Sequence, residues 1–137
     1  MKRLLAVMIT ALLLVGCVPS RKLPPVKKNI VNIESQEEEY ELLVLDPGFE
    51  TWFQATWSPA KDRSKSYYQL WNQRYVSAWN YKSTLPHTSE FFDTIIQYDP
   101  TIDYGMEVQR KLYYYFRWVD TRLGIPILDR PPPAGIL

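Results

Sequence analysis

Cysteine and histidine are all but missing from this chain: Cys17 and His87 are the single examples in 137 residues. One thiol cannot form an internal disulfide, and one histidine without a second soft ligand makes neither a zinc site nor a cysteine–histidine catalytic pair. An excess of either charge is missing too. Sixteen basic residues face fifteen acidic ones, a formal net charge of +1, which leaves no basic footprint for nucleic acid. The longest apolar run, Leu4 to Val15, is twelve residues with Thr10 its one polar member, short of the roughly 20 that cross a bilayer as a helix. No Gly-x-Ser-x-Gly, phosphate loop, dinucleotide fingerprint or calcium loop occurs, so no motif asks for a cofactor or a metal.

What is present begins with that short run. Lys2 and Arg3 form a charged start, Leu4–Val15 an apolar centre, and Leu14-Val15-Gly16-Cys17 a small-residue cleavage site. This is the pattern of an export signal, and the placement of the only cysteine at its end reads as a lipoprotein signal. Residues 1–16 are then removed, the Cys17 thiol receives a diacylglyceryl group, and the new amino terminus is acylated. Several acyl chains at about 0.8 kcal/mol per buried methylene hold a protein on a membrane effectively irreversibly. The remaining 121 residues carry 14 basic and 15 acidic side chains.

Residues 17–39 combine the lipidated cysteine with a proline-rich and charged stretch that holds no aromatic residue, which reads as an extended tether. Its 22 residues after Cys17 could reach about 70 Å. All 20 aromatic residues lie between Tyr40 and Trp118, and the globular domain is expected over 40–130. Residues 131–137, opening with Pro131-Pro132-Pro133, read as a proline-rich tail outside it.

Within the domain, Tyr40–Leu45 reads as a buried strand stopped by a turn at Asp46-Pro47-Gly48. Phe49, Trp52, Phe53, Thr56 and Trp57 repeat at helical spacing, predicting about two turns before Pro59. Ser64 is placed to cap a long helix over Lys65–Lys82, with Tyr68, Trp71, Tyr75, Ala78 and Trp79 on one stripe. Phe91–Tyr98 is β-branched and aromatic and reads as a second strand, with room for a helical turn at its start, that could pair with 40–45. The last helix runs through Tyr104, Val108, Leu112, Tyr115, Val119 and Leu123, with Gly124 at the left-handed stop. The expected class is α+β: one small domain with two longer helices, one short helix, a minimal two-stranded sheet and an aromatic-rich core. A mostly α arrangement is the alternative.

The aromatic residues supply the core, yet Tyr113-Tyr114-Tyr115-Phe116 advance about 100° each and cover some 300° of a helix. One or two should therefore point away from it. Tyr113 and Tyr114 become candidates for a binding surface, unless the domain wraps both sides of the helix. Trp79-Asn80-Tyr81 could offer stacking and amide groups to a sugar. His87 stands in a loop as the one candidate base for a hydrolase, and Asp99, Asp103 and Glu107 recur every four residues. Helix capping explains these carboxylates more simply than a metal does. The Lys61–Lys65 loop reads as a solvated turn.

The strings Glu41–Glu50 (ELLVLDPGFE), Ser58–Ser64 (SPAKDRS) and Tyr75–Tyr81 (YVSAWNY), with Asp103-Tyr104-Gly105 and Tyr114-Tyr115-Phe116, resemble a family of small bacterial lipoproteins known only as a domain of unknown function. The resemblance brings no activity or catalytic residue. It implies a cell-envelope setting in diderm bacteria, at the outer membrane or in the periplasm. Val18–Lys22, rather than acidic residues, follow Cys17, which favours a domain facing the periplasm. Membrane attachment through Cys17 with a non-catalytic domain that docks an envelope protein, or a second copy of itself, is the leading expectation. A glycan- or cell-wall-binding module is the alternative, and a hydrolase the least expected.

Overall fold

The computed structural model describes residues 31–36, 39–86 and 90–133. The leader, Cys17 and His87 lie outside them. Strands β1 (Val31–Gln36) and β2 (Glu39–Val44) form a two-stranded antiparallel sheet in which Val31 faces Val44 and Ile33 faces Leu42. Helices α1 (Phe49–Thr56), α2 (Lys65–Thr84) and α3 (Gly105–Thr121) follow, with single 3-10 turns at Pro59–Lys61 and Glu90–Phe92. The class is α+β, with two long helices, a short one and a minimal sheet around a buried aromatic cluster.

Local chemistry sets most boundaries. The turn after β2 closes with Gly48 at φ 102°, a left-handed conformation that glycine adopts without strain, and α1 starts at the next residue. The Ser64 side chain accepts from the Tyr67 amide and starts α2. Gly124, at φ 66°, turns the chain after α3, so that the Ile125 amide bonds back to the Val119 carbonyl.

Helix α3 is the axle. Lys65 meets Asp103, Asn72 meets Gln109, Tyr75 meets Asp120 and Lys82 meets the Pro126 carbonyl, so α2 runs parallel to α3. Phe49 contacts Trp118, Phe53 contacts Tyr114, and Arg110 lies over Trp57, so α1 runs antiparallel. The sheet covers a further side through β2. Each aromatic of the central run thereby meets a ring of α1 or α2. Tyr113 meets Tyr67 and Tyr68, Tyr114 meets Phe53, Tyr115 meets Phe49, and Phe116 stacks on Tyr75 at 4.9 Å. All four are buried. The expectation that one or two would face outward is corrected: three elements pack around the helix rather than one layer against it.

Three further expectations change. The partner of β2 is Val31–Gln36, within the stretch read as tether, so the fold includes residues ahead of Tyr40, back to Val31 among the described residues. Segment 91–98 forms no strand. Its backbone groups bond to α2 side chains instead: Trp79 Nε1 donates to the Thr94 carbonyl, Asn80 Nδ2 donates to the Ile96 carbonyl, and the Ile96 amide donates to Asn80 Oδ1. Groups satisfied this way are not available to a sheet ladder. The start of the proline-rich tail is also part of the packing, because Pro132 is buried and its carbonyl accepts from Arg117.

Two substitutions on the same helix should move stability in different directions. Phe116→Ala removes a buried ring stacked on Tyr75 and in tilted contact with Trp79 and should cost about 3–5 kcal/mol in urea unfolding. The buried Tyr115 hydroxyl has no hydrogen-bond partner, so Tyr115→Phe should be neutral or stabilising by up to about 1 kcal/mol.

Candidate functional site

The aromatic and amide groups singled out from the sequence do not form one surface. Tyr113, Tyr114 and Trp79 are core residues, and Asn80 commits its amide to the backbone of Ile96. Of the five, Tyr81 alone is open, at 65% exposure. The proposed platform for a sugar ring is therefore dismantled, because its tryptophan and its amide both face inward. This follows from helix geometry, since Trp79 and Tyr81 stand about 200° apart around α2.

The ionisable groups are engaged in holding elements together. Asp62, in the loop expected to be a solvated turn, takes a bidentate bond from Arg110, at 2.9 and 2.6 Å, and a third from the Tyr68 hydroxyl at 2.8 Å. The Arg110 bonds, aided by that from Tyr68, outweigh burial and hold the Asp62 carboxyl below its usual range. Arg110 also lies 4.7 Å over the Trp57 ring, so one guanidinium ties α1, the Asp62 loop and α3 together. The three spaced carboxylates separate as well. Helix α3 starts only at Gly105, so Asp99 sits in a turn bonding Thr101, Asp103 pairs with Lys65, and Glu107 alone is helical. No group of three metal-ligating side chains occurs among the described residues.

A second clasp lies at the far end of α3. Asp120 accepts from the Tyr75 hydroxyl at 2.7 Å and from the Ile127 amide at 2.9 Å. Burial pushes its pKa up, against the pull of those bonds and of the Arg117 and Lys82 charges. It fastens the C-terminal segment across α2 and α3. That crossing leaves an open groove of about 740 Å³ lined by Gln73, Arg74, Ser77 and Ala78 of α2 and by Leu128, Asp129 and Arg130. Arg74 stacks its guanidinium on Trp71 at 4.9 Å, which holds one wall extended. The groove combines two arginines, amide and hydroxyl donors and an apolar floor from Ala78 and Leu128. A smaller cleft of about 280 Å³ lies between β2 and α3 beside Tyr40, Glu107 and Lys111. The groove is the better candidate, because it is larger and presents arginine and amide groups to solvent. Its residues stand some fifty positions apart in the chain, and only the fold of the C-terminal segment over α2 joins them.

Residues 4–129 match the sequence model of a family described as a family of unknown function (DUF6146). No curated protein and no solved structure matches the chain.

The Asp62 clasp predicts an acid response. A carboxyl with a lowered native pKa stabilises the fold fully above its unfolded value near 4, and that stability is lost as pH falls through the native value. Urea midpoints of the wild type should therefore drop as pH is lowered from about 4. Asp62→Asn should start lower at pH 7 and fall less steeply over that window; a parallel fall in both proteins would show that Asp62 is not the titrating group.

Proposed function

We propose, for a chain that belongs to the DUF6146 family of unknown function, that it is a lipid-anchored protein of the bacterial cell envelope whose domain docks a protein partner without catalysing a reaction. The anchor reading is supported by the charged start, short apolar run and Leu-Val-Gly-Cys sequence at residues 2–17. The family match begins at residue 4, so it includes the apolar run and Cys17. The residues after Cys17, which are not acidic, support a domain that faces the periplasm.

The observation that carries the docking reading is the groove between α2 and the C-terminal segment. Its two arginines, one braced on a tryptophan, are residue types that concentrate binding energy at protein interfaces. Asp62, Asp103 and Asp120, by contrast, are engaged in structural pairs. The glycan alternative keeps Tyr81 but loses Trp79, which is buried, and the Asn80 amide, which is bonded to Ile96.

Two measurements test the proposal. Cys17→Ser should abolish incorporation of radiolabelled palmitate and leave the precursor uncleaved; continued labelling would remove the anchor. Arg74→Glu combined with Arg130→Glu should lose the partner recovered by crosslinking from detergent-solubilised envelopes, with a melting temperature unchanged within about 2 °C, since both side chains are exposed. Retention of the partner by this double variant would take the groove out of the interface.

A further inference from the structure

Among the described residues, six large apolar side chains are exposed: Leu45, Leu70, Tyr81, Leu85, Ile95 and Leu123. All but Leu70 gather at one end of the domain. Leu45 follows Val44, which pairs with Val31 at the start of β1. Ile95 lines a recess of about 240 Å³ with Val31, Asn32 and Ile33, and its neighbours Thr94 and Ile96 are bonded to Trp79 and Asn80 of α2. Tyr81 and Leu85 belong to the last turn and cap of α2. Leu123 closes α3, beside the segment whose Pro126 carbonyl accepts from Lys82. The parallel course of α2 and α3 brings both helix ends here.

The chain enters the described domain at this same end. Val31 is its first residue, and thirteen residues, 18–30, separate it from Cys17. Fully extended they reach about 45 Å. We infer that this apolar end rests on the lipid surface that holds the Cys17 anchor, with Ile95, Leu45 and Leu123 in contact with the acyl boundary and Tyr81 at the headgroups. The inference rests on the lipid-anchor reading of Cys17. Apolar side chains gathered with one tyrosine suit a membrane interface, where a ring with a polar tip is favoured. The charges at this end are mixed in sign, Lys82 and Arg122 among Asp46, Glu90 and Asp93, and present no basic patch to anionic headgroups. The contact is therefore apolar and should survive high salt, unlike attraction to anionic lipid.

The test places a thiol-reactive, polarity-sensitive dye on Ile95→Cys and, at the opposite end, on Ala60→Cys in the full lipidated chain. Both positions are exposed, and the roughly 30 Å length of α2 separates the two ends. The proteins are reconstituted into vesicles of phosphatidylethanolamine with a minor share of phosphatidylglycerol. Expected is a blue shift at position 95 that nitroxide-bearing acyl chains quench and salt does not reverse, with a water-like signal at position 60. Equal, water-like signals at both positions overturn the inference. A blue shift at 95 without lipid quenching also overturns it, because a second copy then covers this end. Wild-type protein tests the anchor separately: a lipidated Cys17 leaves no thiol for the dye, so a labelled wild type defeats the anchor reading. In that case both probes are read again in a Cys17→Ser background with vesicles added, where quenching at 95 still upholds the lipid-facing end and its absence overturns it.

Discussion

Tyr113, Tyr114, Tyr115 and Phe116 occupy most of the circumference of α3, and burying all four requires a wall on every side. That requirement accounts for the arrangement of the other elements. Helix α1 brings Phe49 and Phe53 to Tyr115 and Tyr114, and α2 brings Tyr68 and Tyr75 to Tyr113 and Phe116. The sheet adds Leu42 and Val31 to the core. A single amphipathic stripe would have left two of the four rings in water. A cage of short elements keeps them all dry, at the cost of a core with little room for a cavity.

The polar groups enclosed by this cage act as fasteners. Asp62 with Arg110 locks the loop before α2 to α3, and Asp120 locks the chain after α3 to the same helix. Arg117, 3% exposed, reaches the Pro132 carbonyl at 3.4 Å, a long bond for a buried charge and one that gains from the nearby Asp120 carboxylate. Asn72 bridges both oxygens of Gln109 at 2.8 Å. Buried groups of this kind cost much when half satisfied, so they specify which segment closes over α3. The groove exists because the Asp120 clasp draws residues 125–128 across α2.

Local signals in the sequence were readable where a single residue type has one physical use. The Asp-Pro-Gly turn, the Ser64 cap, the long periodicity of α2 and α3 and the Gly124 stop stand where the pattern put them. Strand β1 escaped because its alternation, Val31 and Ile33 against Asn32 and Glu34, is too short to stand out from the charged stretch around it. The strand expected at 91–98 failed for a reason invisible in its own residues, since Asn80 and Trp79 take its backbone bonds. The candidate surface failed likewise: helical periodicity gives the angle of Tyr113 and Tyr114 on α3 but not how many neighbours surround it. Groove residues such as Arg74 and Arg130 carried no signal, because a site made by the return of a distant segment has no spacing to read.

Because α3 lies in the last third of the chain, the order in which the polypeptide is delivered matters. The sheet, α1 and α2 each bury their apolar faces against a helix that has not yet arrived when they emerge, and Pro132 closes the structure only at the very end. Such non-local contacts form late. A chain threaded amino terminus first through a narrow translocation channel would stay open for most of its passage and collapse once α3 is clear. The placement of the central helix thus makes the folding of every earlier element wait on a segment delivered after them.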